Sequence, residues 1–182
     1  MQIIETGIEG LVVIEPKIFG DDRGYFFESY NQQAFAKSYR EIQFVQDNEA
    51  YSKYGVVRGL HYQLSPKAQS KLVRVVQGEV LDVVVDIRPK SKTFGQHFSI
   101  RLSAKNKKQV FVPHGMAHGY AVLSEESIFC YKCDHFYDQS LEHGIHLLDS
   151  DLNIDWGIPQ NKMIISDKDL KQPTFNQHKT FH

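Results

Sequence analysis

Cysteine is almost missing from this chain, with two in 182 residues. That is too few for a disulfide framework. Proline occurs only 6 times and tryptophan once, and no Pro-, Gly- or Ser-rich stretch marks a linker between domains. Neither charge sign is in excess: Lys plus Arg number 21 against 22 for Asp plus Glu, a net charge of -1. This balance argues against a partner such as nucleic acid or an anionic membrane. No apolar run approaches the roughly 20 residues that span a bilayer. The opening MQIIETGIEG has no basic stretch leading an apolar one, so no signal peptide is expected, and the expected compartment is the cytoplasm.

What is present is an ordinary globular composition, 41% hydrophobic and 24% charged, in a chain long enough to bury a core of its own. One domain over residues 1–182 is expected. Twelve Phe and nine Tyr among many Val and Ile favour β structure. Glu79 to Arg88 alternates, with Leu81, Val83, Val85 and Ile87 on one side and Val80, Asp82, Val84, Asp86 and Arg88 on the other. That is the pattern of a half-buried strand. Lys71 to Gln77 reads as its neighbour across a tight Gly78-Glu79 hairpin. Further strands are expected at Gly10–Ile14, Tyr25–Ser29, Ile42–Glu49, Val56–Tyr62, His97–Leu102, Gln109–Val112, His118–Leu123 and Ser127–Phe136. Their spacing of about 8–12 residues predicts an all-β sandwich or barrel. Two short helices are expected, Gln32–Ser38 behind Asn31 as N-cap and Ser166–Leu170 with Ser166 capping. The polar tail from about residue 173 is expected to be poorly ordered.

Chemistry-bearing side chains gather in a few of these strands. Arg58-Gly59-Leu60-His61-Tyr62-Gln63 places a His inside a strand, and Lys71 opens an otherwise apolar one. Pro113-His114-Gly115-Met116-Ala117-His118 is a turn leading a second His into a strand, and Tyr131 follows. Taken alone, a strand His or Tyr is more often a packed structural residue. Together they are candidates for the lining of a barrel interior that holds one ligand. Arg58 and His61 have opposite parity, so both reach one site only if Gly59 marks a bulge or bend; the alternative is that Arg58 serves a different part of the ligand. Cys130 and Cys133 form a C-x-x-C, but in a strand positions i and i+3 point to opposite faces, and no second pair completes a zinc site.

These residues, in order along nearly the whole chain, resemble the dTDP-4-dehydrorhamnose 3,5-epimerase family. The landmarks are Asp22-Arg23-Gly24-x-Phe26-Phe27-Glu28, Gln46-Asp47-Asn48 with Ser52, and Arg58-Gly59-Leu60-His61-Tyr62-Gln63. Lys71-Leu72-Val73-Arg74-Val75, Asp82-Val83-Val84-Val85-Asp86-x-Arg88 and Pro113-x-Gly115-x-Ala117-His118-Gly119 come next. Tyr131-Lys132, Tyr137, Glu142 with Gly144, Ile154-x-Trp156 and Ser166-x-Lys168-Asp169 complete the set. Departures are Met116, where the family usually has an aromatic, and Gly157, where Pro is common. The resemblance implies a cupin-like jelly roll, a homodimer exchanging N-terminal strand contacts, and no metal or cofactor. The metal-binding cupin pattern is itself incomplete, because His61 is followed by Tyr62 and Gln63 rather than by a second His.

The substrate implied is dTDP-4-dehydro-6-deoxy-D-glucose. Its C4 ketone acidifies the protons at C3 and C5, so inversion needs a base on one face, an acid on the other, and a group to stabilise the enolate. The resemblance assigns His61 as base, Lys71 to the enolate and Tyr131 as acid. It assigns Asp169 to orient His61, with Asp82 as the rival orienter. For the nucleotide end it implies Arg23, Arg58 and Lys168 at the diphosphate, polar contacts from Glu28, Gln46, Asn48, His118 and Glu142, and Tyr137 packing near the thymine. Phe26 is expected to wall the pocket. The rival readings are an epimerase acting at C3 or C5 alone, a sugar-binding jelly roll without turnover, and a metal-dependent oxygenase.

Overall fold

The computed structural model describes residues 1–181. Its strands are β1 (Gln2–Glu5), β2 (Val12–Glu15), β3 (Phe19–Asp21), β4 (Gly24–Phe26), β5 (Gln46–Lys53), β6 (Val57–Gln63) and β7 (Lys71–Gln77). Then come β8 (Glu79–Asp86), β9 (His97–Ser103), β10 (Gln109–Val112), β11 (Met116–Val122), β12 (Glu126–Cys133) and β13 (Glu142–Gly144). The helices are α1 (Gln32–Ser38) and α2 (Asp167–Leu170). One sheet runs β1-β2-β10-β7-β12-β5, and a second runs β13-β6-β11-β8-β9, both antiparallel; β3 and β4 form a separate hairpin. The two large sheets pack face to face as a jelly roll.

The core has three parts, because both sheets are covered on both sides. Val73, Val75, Val110 and Phe129 of the first sheet meet Val80, Val84 and Tyr120 of the second between the layers. Val83, Val85, Ala117 and Ala121 face outward from the second sheet, beneath Ile145, Leu147, Trp156 and Ile158. Outside the first sheet, Phe35 of α1 packs on Val12, Ile14, Leu72 and Phe111. The half-buried reading of β8 is therefore corrected. Val80, Asp82, Val84 and Asp86 are as inaccessible as Val83 and Val85, because the first sheet covers the face that alternation alone leaves open and the chain after β13 roofs the other.

Both helices start where their caps predict. The Asn31 side chain accepts from the Ala34 amide, and Ser166 Oγ accepts from the Asp169 amide. The Gly78-Glu79 hairpin is a second correction. Strands β7 and β8 lie in different sheets, so Gly78 turns a corner between layers. Its φ is +77°, and a Cβ there would sit 2.0 Å from the Glu126 carbonyl oxygen, so a side chain does not fit. β5 begins at Gln46 rather than Ile42, because Ile42 and Phe44 pack with Phe35 over α1 instead of joining the ladder. The strand expected at Tyr25–Ser29 shortens to the three residues of β4. The tail also differs from expectation: Phe175 and Phe181 pack on the outer core, and Tyr62 donates to the Lys179 carbonyl.

Candidate active site

Strand β6 supplies the centre of the site. In its pairing with β11, His61 stands opposite His118 but Arg58 stands opposite Tyr120. Three steps on β6 match two on β11, so β6 carries one extra residue, a bulge at Gly59 and Leu60. Gly59 has φ +134°, and a Cβ on it would lie 2.6 Å from Gly119 Cα. Glycine at both positions lets the two backbones close up. The bulge resolves the parity conflict, since Arg58 and His61 line the same cavity.

That cavity, of about 530 Å³, lies between the sheets. Arg58, His61 and His118 enter from the second sheet, and Lys71 and Tyr131 from the first. Lys168 and Asp169 reach it from α2. Tyr120 and Phe129 stack across the gap with ring centroids 4.1 Å apart and form its floor. They escaped the sequence reading, although each shares the parity of its neighbour, His118 or Tyr131.

His61 Nε2 donates to Asp169 Oδ1 at 2.6 Å, with Asp169 almost fully enclosed. These residues are 108 positions apart. A parallel bridge between Val56 and Ile164, closed by the Val57 amide on the Ile164 carbonyl, lays the approach to α2 along β6. Burial by itself would raise the Asp169 carboxyl. The hydrogen bond and charge of His61, the Ser166 hydroxyl and the Gly59 amide outweigh it and hold Asp169 below the usual carboxylate range. Asp82 is not beside His61; its Oδ2 accepts from His118 Nε2 at 2.8 Å in a pair closed to solvent.

Lys71 is held below the ordinary lysine value by burial, opposed by charge from Cys133, Asp82 and Glu142. Its Nζ sits 6.0 Å from the Tyr131 ring centroid. Burial pushes the Tyr131 hydroxyl up to about 12, so it keeps its proton at neutral pH. At the rim, Glu142 Oε2 accepts from Lys168 Nζ at 2.6 Å and from the Tyr137 hydroxyl at 2.7 Å. Gln46 Oε1 accepts from the Tyr137 amide, and the Gln46 side chain reaches Asn48. Asn48 shares an adjoining cavity with Tyr131.

Three expected residues lie outside this assembly within one chain. Arg23 is exposed and pairs with Asp21 at 2.6 Å. Phe26 is 66% exposed on the β3–β4 hairpin, and Glu28 bonds Asn31 before α1. The two cysteines are free: Cys130 contacts Glu49, and buried Cys133 contacts Asn48.

A family model described as dTDP-4-dehydrorhamnose 3,5-epimerase matches residues 5–177. A protein of Shigella flexneri with that name is 50% identical over 176 residues, 96% of each chain. The crystal structure of dTDP-4-dehydrorhamnose 3,5-epimerase from Elizabethkingia anophelis NUHP1 is similar with a TM-score of 0.93 and 48% identity, covering 97% of both chains. A dTDP-6-deoxy-D-glucose-3,5-epimerase from Legionella pneumophila Philadelphia 1, solved in complex with dTDP-4-keto-L-rhamnose, is similar with a TM-score of 0.92 and 46% identity. That match covers 97% of this chain and 93% of the other.

Proposed function

The chain belongs to the dTDP-4-dehydrorhamnose 3,5-epimerase family, and on that premise we propose that it inverts its substrate with His61 as base and Tyr131 as acid. The protein is an isomerase of dTDP-L-rhamnose synthesis. It converts dTDP-4-dehydro-6-deoxy-D-glucose to dTDP-4-dehydro-L-rhamnose by epimerisation at C3 and C5. The observation that carries the division of labour is that the His61–Asp169 pair and the Lys71–Tyr131 pair line one cavity from opposite sheets.

Asp169 fixes the imidazole proton on Nε2, which leaves Nδ1 as the basic atom. Nδ1 takes the proton from the carbon beside the C4 ketone, and the electron pair moves onto the C4 oxygen. Lys71 lies in a desolvated place where Asp82 and Glu142 act on it through charge alone. A developing enolate gives that ammonium the partner it otherwise lacks. The Tyr131 hydroxyl then returns a proton to the opposite face of the carbon and is reprotonated from solvent, while His61 releases the proton it took to solvent. The sequence repeats at the second carbon. Arg58 and Lys168 hold the diphosphate. The Tyr137–Glu142–Lys168 network forms the nucleotide side of the rim, with Gln46, Asn48 and His118 as polar contacts.

The working unit we propose is a homodimer in the cytoplasm. Its support is the β3–β4 hairpin, which exposes Phe19, Tyr25 and Phe26 as an apolar patch of the kind that seeks a partner. Arg23, Phe26 and Glu28 then serve the substrate cavity of the other copy. Among the described residues no helix is long and apolar enough to cross a membrane.

The test is to incubate the protein with dTDP-4-dehydro-6-deoxy-D-glucose in heavy water and to locate the deuterium. Label at both C3 and C5, with dTDP-L-rhamnose after reduction, is expected. Label at one carbon would make it a single-centre epimerase, and no label would remove this substrate.

A further inference from the structure

We infer that His114, Asp134 and His135 form a binding site for a divalent transition metal, with zinc the best match, outside the reaction cavity. His114 lies in the turn before β11, and Asp134 and His135 follow the last residue of β12. One ligand atom from each of the three lies within 4.8 Å of the others, and all three residues are half-buried.

The arrangement is odd for a plain ion pair. Asp134 Oδ2 accepts from His114 Nε2 at 2.7 Å. On its other side, His135 Nδ1 approaches Asp134 Oδ1 to 3.4 Å. That nitrogen is closed to solvent and has no hydrogen-bond partner. A buried ring nitrogen directed at a carboxylate without bonding to it is costly. An ion seated among the three satisfies both rings at once.

The donor set and spacing agree with zinc. Two imidazoles and a carboxylate make a three-ligand zinc site with a fourth position open, at bond lengths of about 2.0–2.2 Å. Tetrahedral ligands at such lengths stand roughly 3.3 Å apart. His135 Nδ1 and Asp134 Oδ1 are already at 3.4 Å, and the 2.7 Å contact of His114 Nε2 with Asp134 Oδ2 would open as the ion replaces that hydrogen bond. The Ser70 amide donates to Asp134 Oδ1 at 2.7 Å, which fixes the carboxylate as outer-shell bonds do in metal sites. His114 and Asp134 open on a cavity of about 440 Å³ that Glu9 and Glu41 also line, so an ion has a way in. Arg40 and Arg88 line it too. Arg88 is neutralised by Asp86 at 2.7 Å, and Arg40 lies against the Tyr39 and Phe111 rings.

The ion would act on structure rather than chemistry. It would clamp the start of β11 to the end of β12, the strands that carry His118 and Tyr131.

The experiment strips the full-length protein with chelator, dialyses it against zinc chloride, and measures bound zinc and the melting temperature. Stoichiometric zinc and a melting temperature that climbs with zinc are expected. His114→Ala and His135→Ala should each weaken zinc binding by about tenfold or more, abolish the shift, and leave zinc-free epimerase turnover unchanged. His114→Gln, which can still bond Asp134, guards against a variant that fails to fold; it too should lose zinc. Failure to retain zinc, or retention unaffected by these substitutions, overturns the site whatever the outcome for catalysis.

Discussion

Asp169 Oδ1 accepts from His61 Nε2 at 2.6 Å across 108 residues of sequence, while Asp82, the other buried carboxylate that the reading left open, belongs to His118. The chain thus holds two His–Asp pairs side by side, since His61 and His118 are cross-strand partners. Only the pair at His61 has its imidazole partly open to solvent, 29% against 6% for His118. A base that must exchange its proton needs that access.

His61→Ala should abolish deuterium exchange at both carbons while dTDP still binds. Positioned bases contribute on the order of 10²–10⁴ in rate, so the residual rate should fall at least that far. Exchange near the wild-type rate would remove His61 as base.

Asp169→Asn keeps the shape but offers His61 an amide that can also donate, which favours the wrong tautomer. A loss on the order of 10²–10⁴ in kcat is expected, with KM little changed. A variant of wild-type kcat would reduce the 2.6 Å contact to a packing detail.

Tyr131→Phe should still exchange the substrate proton, because His61 and Lys71 remain, but give little inverted product. Nuclear magnetic resonance separates the two outcomes. Unimpaired inversion would mean that the returning proton comes from elsewhere.

Gly59→Ala places a Cβ 2.6 Å from Gly119 Cα and 3.1 Å from the His118 carbonyl oxygen, at φ +134°. Both clashes are with backbone and cannot be relieved by a rotamer. A loss of about 2–4 kcal/mol is expected in urea unfolding. Activity should fall further than stability, because the bulge aims Arg58 and His61 together.

Acid stability should depend on Asp86. Burial alone would raise its carboxyl, but Arg88, Ser91 and Thr93 bring it from 3.8 down to about 2. A depressed folded pKa stabilises above the unfolded value, and that stability is lost as pH falls through the folded one. The loss should therefore begin near pH 3.8 and finish near 2. Asp86→Asn should cost roughly 2–3 kcal/mol at neutral pH and flatten the unfolding curve across that window. An unchanged acid limb would assign it to other carboxylates.

The sequence made local features legible and left non-local ones obscure. Asn31 and Ser166 announce their helices because a cap acts over three residues. The parity of Arg58 and His61 raised a bulge at Gly59 as one of two readings, and the register of β6 on β11 decided between them. Gly78 misled, because a tight turn looks the same whether the next strand pairs beside the last or crosses to another sheet. The choice between Asp82 and Asp169 rests on a bridge at Val56 and Ile164 that no local pattern encodes. Strands β1, β3 and β13, of three or four residues, are too short to show alternation.

The face-to-face packing of the sheets also makes the barrel a caliper. The proposed base hangs from one jaw and the proposed acid from the other. The opening between them, roughly the 10 Å of stacked sheets, is set by Val75, Val84 and Val110. Those side chains touch no substrate, yet trimming one resets the reach of both reacting groups. Residues that would be classed as filler are in this sense the gauge of the reaction.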